Sequence, residues 1–158
     1  MISDKLAKLF IEQIGHELRA HQLYMGISTY FERQSLSRWA KLFHAQSMEE
    51  AQHATKVMDF LTDNSVAFDL PALKAVSTRF GSPTEAVEVA LRSEQSVSRQ
   101  FQLISATALA ENDHTSHQFA MWFVSEQVEE ERKIQSLLDL LGSGINLFQA
   151  EALLDQFE

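Results

Sequence analysis

Apolar residues recur at helical spacing along most of the chain and are interrupted by a few short polar stretches. The first stripe runs through Phe10, Tyr24 and Phe31 and contains no proline, so it is typical of a long amphipathic helix. Ser3, just before it, is a favourable residue for a helix N-terminus. The pattern resumes after each break and predicts helices over about 4–33, 37–62, 84–110, 114–141 and 145–157.

The connections between these segments predict how the helices are arranged. Two connections are short, near 34–36 and 111–113, so each joins antiparallel neighbours. The connection from Asn64 to Pro83 is long, and its roughly 20 extended residues can span a helix of about 26 residues, which is roughly 39 Å. The third helix can therefore begin at the far end, parallel to the second. We expect one all-α domain over residues 1–158, a four-helix bundle with one long crossover and a short C-terminal fifth helix.

Six polar residues occupy core-type positions within the four long stripes. They are Glu17, Glu50 and His53 in the first predicted hairpin and, each 77 residues further on, Glu94, Gln127 and Glu130 in the second. Counting from the turns places each set at nearly one level of its antiparallel hairpin. A lone Glu-x-x-His or a single stripe carboxylate is more often a salt-bridge partner than a ligand. Six matched positions instead favour a metal site, because converging buried carboxylates are costly unless a cation lies between them.

Composition and charge narrow the chemistry of such a site. The 158 residues include no cysteine, which excludes disulfides and thiolate ligands and leaves carboxylates and histidine, ligands that suit iron, manganese or magnesium. The net charge of −9 argues against nucleic-acid and anionic-membrane partners. No apolar run approaches 18 residues and the N-terminus lacks a signal-peptide pattern. We therefore expect a soluble, cytoplasmic protein.

Several short segments together resemble a known family. They are Gly15–Glu17, Met48–His53, Glu94 and Trp122–Glu131. In this combination the chain resembles the non-haem bacterial ferritins over nearly its whole length. The resemblance implies a ferritin-like four-helix bundle with an iron-oxidising di-iron centre.

The resemblance also implies a ligand set for each of two irons. The first iron would be held by Glu17, Glu50 and His53, and the second by Glu50, Glu94 and Glu130. Glu50 would bridge the two irons, and Gln127 would line the second site. Similar bacterial ferritins have a third iron position, which maps to Glu49, Glu126, Glu129 and Glu130. Judged from the residues alone, Glu126 and Glu129 are equally well explained as a solvated acidic face.

Tyr24 lies one heptad after Glu17 on the same predicted helix face. A tyrosine in such a stripe is about as often a core aromatic residue with a hydrogen-bonded hydroxyl as a functional group. The resemblance implies a role for it as an electron donor or hydrogen-bond partner while O2 is reduced. Tyr24 is therefore included among the predicted catalytic residues.

The second hairpin does not repeat the ligands of the first. A bacterioferritin or rubrerythrin would offer a second Glu-x-x-His, whereas this chain has Gln127 and Glu130 at those positions. The second iron should therefore lack histidine and be held more weakly. The haem-ligating methionine of bacterioferritins would directly follow Glu50, and Ala51 stands there instead. Haem is accordingly not expected.

The resemblance implies an iron-storage protein that oxidises Fe(II) with O2 and keeps Fe(III) mineral inside a homo-oligomeric cage of 24 subunits. A di-iron oxidase or peroxidase without mineral, or a non-enzymatic iron-buffering bundle, are the alternatives. Where animal ferritins have an acidic three-fold iron channel, this chain has His117 and Ala120, and where they have a mineral-nucleating patch it has Gln52 and Thr55. A pore nearer the di-iron centre is therefore an alternative route for iron.

Overall fold

The computed structural model describes residues 1–157 and is built from four long helices. They are α1 (Asp4–Arg33), α2 (Ser37–Asp63), α3 (Pro83–Ala110) and α4 (His114–Gly142). α1 packs along α2 and α3 along α4, and α1 also contacts α3. The predicted all-α four-helix bundle is confirmed, and these helices begin and end within one residue of their predicted positions.

Side-chain caps explain where three of the long helices begin. Ser3, Ser82 and Asp113 each accept a hydrogen bond from the backbone N–H three residues further on, which satisfies one of the free donors of the first turn. Pro83 opens α3, where its fixed φ suits the helix and its missing N–H is not needed. The crossover 64–82 then joins α2 to α3.

The crossover lies directly against α1. At Gly26 a Cβ atom would clash with the backbone carbonyl oxygen of Ser77, so only glycine permits this close approach. The Arg33 side chain also donates a hydrogen bond to the Thr78 hydroxyl over 3.3 Å. The long connection therefore packs against α1, and it is long enough to run along the bundle from the end of α2 to the start of α3.

The C-terminal segment differs from the single helix predicted over 145–157. It consists of a one-turn helix, α5 (Leu147–Ala150), followed by a 3₁₀ helix over Glu151–Phe157. The Leu147 carbonyl accepts a hydrogen bond from the Trp39 indole, and the Glu151 carbonyl accepts one from Arg38. These two contacts attach the C-terminal segment to α2.

Two apolar cores fill the bundle, one toward each end. One core contains Phe31, Trp39, Ala86 and Leu137, and the other contains Phe10, Leu61, Phe101 and Ala120. On each long helix the polar residues of the repeated set lie between these two groups. The fold therefore places the predicted ligands in a layer at mid-bundle, away from water. Within residues 1–157, no helix is long and apolar enough to cross a membrane.

Candidate metal centre

Five predicted ligands from four different helices converge in this polar layer. All are buried, with exposed fractions between 0% for Glu17 and 7% for His53. Their ligand atoms form two groups, each with all atoms within 4.8 Å of one another: Glu17, Glu50 and His53, and Glu50, Glu94 and Glu130. Glu50 belongs to both groups, so the geometry suits two adjacent cations that share one carboxylate.

The first group contains a carboxylate oxygen without a partner. Glu17 Oε1 accepts a hydrogen bond of 2.7 Å from Gln13 Nε2, but Glu17 Oε2 has no hydrogen-bond partner among residues 1–157. His53 Nδ1 lies 3.4 Å from Glu50 Oε2 and 3.9 Å from Glu17 Oε2. An unpartnered buried carboxylate oxygen beside an imidazole is costly by itself. A bound cation would compensate that cost, so these residues fit a metal ion.

In the second group, neutral donors already satisfy the carboxylates. The Tyr24 hydroxyl donates to Glu94 Oε1, and Gln127 Nε2 donates to Glu94 Oε2 over 2.9 Å. Gln46 Nε2 donates to Glu130 Oε2 over 2.6 Å and to Glu50 Oε1 over 3.0 Å. Hydrogen bonds from the protein therefore hold the carboxylates of the second group in position even without a metal.

Burial and mutual repulsion shift the acidity of these carboxyl groups. Burial, reinforced by the charge of Glu50, raises the pKa of Glu17 well above its usual range. The same two causes raise the pKa of Glu94 to about 8. Burial raises the pKa of Glu130 to about 7 against the opposing charge of Lys133. Without metal, the layer therefore holds protons that a divalent cation would displace.

The layer also contains two buried rings, the His53 imidazole and the Tyr24 phenol. Burial by itself would lower the pKa of His53, but the hydrogen bond and charge of Glu50 outweigh it and raise the pKa. The His53 ring meets Trp122 and Phe123 edge-on, with ring centroids 5.9 and 5.6 Å away. Burial and the charge of Glu94 raise the pKa of Tyr24, so its phenol stays protonated and acts as a donor.

The residues assigned to a third iron position are less closely grouped. Glu49 and Glu126 are partly buried and line a cleft of about 580 Å³ that reaches His53. Glu129 is exposed and is not part of the cleft lining. Within residues 1–157, neither of the two close ligand groups includes any of these three. The third position remains a prediction.

Two buried amides were not recognised in the sequence as part of the site. Gln13 and Gln46 are each 1% exposed, and each donates a hydrogen bond to a predicted ligand. Each stands four residues before a ligand, at Glu17 and Glu50 respectively. That spacing puts the amide and the carboxylate on one helix face. It is the feature of the sequence from which the two amides could have been predicted.

Comparison with known proteins decides the family. Residues 7–143 match the family described as Ferritin-like domain. The chain is 34% identical over 151 residues to Ferritin BfrB of Mycolicibacterium smegmatis, covering 95% of this chain and 83% of the relative. It is 35% identical over 139 residues to a bacterial non-heme ferritin of Bacteroides fragilis, covering 88% and 87%. The chain belongs to the ferritin family.

Solved structures agree with this assignment. The crystal structure of an open pore ferritin from Archaeoglobus fulgidus superimposes with a TM-score of 0.94 at 26% identity, over 98% of this chain and 97% of the other. Another similar structure is a humanized archaeal ferritin, with a TM-score of 0.92 at 28% identity, covering 99% and 94%. Membership of the ferritin family supports a role in iron storage, and the carboxylate and histidine groups fit iron binding.

Proposed function

We propose that this ferritin oxidises Fe(II) with O2 at a di-iron centre within each subunit and stores the Fe(III) as a mineral. The observation that carries the proposal is the pair of buried ligand groups sharing Glu50. One imidazole and several carboxylates form a donor set suited to iron, and anionic oxygen ligands favour Fe(III) over Fe(II). Each Fe(II) gives up one electron, and O2 accepts the pair.

The inequality of the two positions supports storage over a permanently held cofactor. The second group lacks histidine, and its carboxylates are already hydrogen-bonded to Tyr24, Gln127 and Gln46. An ion there gains less on binding than one beside the unpartnered oxygen of Glu17. We infer that iron leaves the second position readily after oxidation, as transfer to a mineral requires.

The mineral needs an enclosed space, and we propose a homo-oligomeric cage of 24 subunits. The C-terminal segment leaves Phe148 and Leu153 exposed, at 59% and 37%, which suits contact with other subunits. Each chain carries a net charge of −9, so an assembly would concentrate cations. Sedimentation of the purified protein measures the subunit number, and a monomer or dimer would contradict the cage.

The oxidation itself is tested by mixing metal-free protein with Fe(II) and measuring O2 consumption. Glu17→Ala and His53→Ala each remove a ligand of the first position and should slow consumption about 100-fold or more, beyond the 10–100-fold typical of outer partners. Glu32→Ala is the matched control, because Glu32 is an exposed carboxylate on the same helix as Glu17. Unchanged rates in both ligand variants would instead support a non-enzymatic iron-buffering bundle.

A di-iron oxidase or peroxidase that stores no mineral is the second candidate. Tyr24 favours it as much as storage, because a buried phenol hydrogen-bonded to Glu94 can assist O2 reduction in either protein. Repeated aerobic additions of Fe(II) separate the two. A soluble mineral core after many additions supports storage, and precipitation once the di-iron centre is filled supports the oxidase.

A further inference from the structure

A lysine lies at the edge of the second ligand group. Lys133 is on α4, one turn after Glu130, and its side chain is partly buried. Its ammonium donates a hydrogen bond of 2.8 Å to Oε1 of Gln46. Gln46 is buried on α2, so this contact joins α4 to α2 and holds a positive charge against the polar layer.

Gln46 connects the ammonium to both carboxylates beside it. An ammonium can only donate hydrogen bonds, so the amide oxygen of Gln46 must face Lys133. The amide nitrogen is thereby directed into the layer, where it donates to Glu50 and Glu130. Lys133, Gln46 and the two carboxylates form one continuous chain of hydrogen bonds.

The first ligand group has a different arrangement. There the corresponding amide is Gln13, which donates to Glu17, and its own oxygen lies 3.3 Å from His16 Nδ1. No lysine or arginine takes part in the hydrogen bonds or ion pairs of that group within residues 1–157. The matching lysine of the first hairpin is Lys56, which is exposed and has its ammonium 3.7 Å from the centroid of the Trp122 ring. An ammonium is therefore hydrogen-bonded to an amide of the second group, whereas the matching ammonium of the first hairpin lies on an aromatic ring.

We propose that Lys133, positioned by Gln46, weakens the binding of a divalent cation at the second position and so promotes its release. The ammonium is connected to Glu50 and Glu130 through the amide of Gln46. When a cation binds between them, the same ammonium repels it, and more strongly than it repels a single proton because the metal carries two charges. This inference rests on the proposed function, since it assumes two metal positions.

Equilibrium binding of Co(II) to metal-free protein tests the inference without any oxidation step. Titration calorimetry should resolve a tight and a weak step, which belong to the first and second positions. Lys133→Gln should lower the Kd of the weak step about three- to tenfold, the effect of losing one nearby charge. The tight step should change less, because Glu50 is the one ligand of the first position that the hydrogen-bond chain reaches. Lys133→Arg keeps the positive charge, so the Kd of its weak step should equal that of the parent protein.

The matched control is Arg132→Gln, which removes one positive charge from an adjacent, exposed residue on the same helix. It should leave both steps unchanged. Raising the salt from about 0.01 M to about 1 M shortens the Debye length from roughly 30 to 3 Å and should reduce the difference between Lys133→Gln and the parent protein. Equal shifts in the Lys133 and Arg132 variants would show a general charge effect and overturn the proposal.

Gln46→Leu tests whether Gln46 positions the ammonium. Without the amide, Lys133 can turn toward solvent, so this variant should also tighten the weak step, and adding Lys133→Gln to it should change little. Fully additive effects would overturn the positioning role. The helical circular-dichroism signal and the Tm of the metal-free variants serve as the check on folding. If the parent protein shows no second step, the proposed di-iron function fails. If it shows two steps and Lys133→Gln leaves the Kd of the weak step unchanged, only this inference fails.

Discussion

The two proposed metal positions share Glu50 but differ in how their other carboxylates are hydrogen-bonded. At the first position, Glu17 Oε2 has no hydrogen-bond partner among residues 1–157. At the second, both oxygens of Glu94 accept hydrogen bonds, from Tyr24 and Gln127. A buried oxygen without a partner gains more from a cation than one that is already bonded. A repeated bundle can therefore hold two positions of unequal affinity.

The difference also involves the ligand types and the charges around them. His53 serves the first position, whereas Glu130 occupies the matching place in the second hairpin. Lys133 is linked to the second position through Gln46. Under the proposed function, both features favour weaker retention of a cation at the second position.

Removing the shared ligand should have the largest effect. Glu50→Ala takes one carboxylate from both groups, so both Co(II) binding steps should weaken by about 100-fold or more, beyond the loss typical of outer partners. Titration calorimetry measures the two constants. Glu32→Ala is the control, since its carboxylate is exposed on α1 and lies outside both groups. Survival of either step in Glu50→Ala would show that the positions do not share this ligand.

Giving the second position a histidine should make the two positions more alike. In Glu130→His the second hairpin regains an imidazole at the place that matches His53, and the weak Co(II) step should tighten about tenfold, or roughly 1.4 kcal/mol. The absorption spectrum of bound Co(II) reports the added nitrogen ligand. Arg132→His, at an exposed position on the same helix, should leave the spectrum unchanged. A weaker second step would show that the ligand type does not set the inequality.

The smallest effect expected is the pH dependence of stability in the metal-free protein. The pKa of Glu94 is raised to about 8 and that of Glu130 to about 7, so the folded state keeps protons that the unfolded state releases near pH 4.5. The contribution of these two groups to the free energy of unfolding should therefore be greatest below about pH 4.5 and be lost as the pH rises through 7 to 8. Calorimetry should show a Tm decrease of several degrees, at about 2–4 °C per kcal/mol.

A carboxamide at position 94 removes the titration and keeps the shape of the side chain. Glu94→Gln should therefore flatten the decrease in Tm between pH 5 and about pH 8. Glu88→Gln, an exposed residue on the same helix, is its control. A Tm that rises across this range in the metal-free parent protein would contradict the raised pKa values.

Most of the fold followed from the sequence because its signals are local. The apolar stripes placed the four long helices to within one residue, and Ser3 marked the start of α1 correctly. The predicted short C-terminal helix is also present, although only Leu147–Ala150 is α-helical and Glu151–Phe157 continues as a 3₁₀ helix. Apolar periodicity over so short a segment does not distinguish the two helix types.

The candidate site was predictable in its ligands but not in their partners. The 77-residue repeat singled out Glu17 and Glu50 because residues at core positions of antiparallel helices meet at one level. Gln13 and Gln46 each stand four residues before a ligand. A glutamine in an apolar stripe does not by itself indicate that its amide is bonded to a metal ligand. Lys133 could not be recognised, because its contact with Gln46 depends on how α4 packs against α2.

The sequence by itself determined the helices, the level of the polar layer and the absence of a second histidine, since all three depend on spacing along single helices. Only the tertiary structure decided which oxygen lacks a partner, which carboxylates the amides join and where the one ammonium linked to Gln46 lies. Those contacts depend on differences of an ångström or less between helices far apart in the chain. Side-chain packing across the bundle sets such distances, and periodicity along one helix does not.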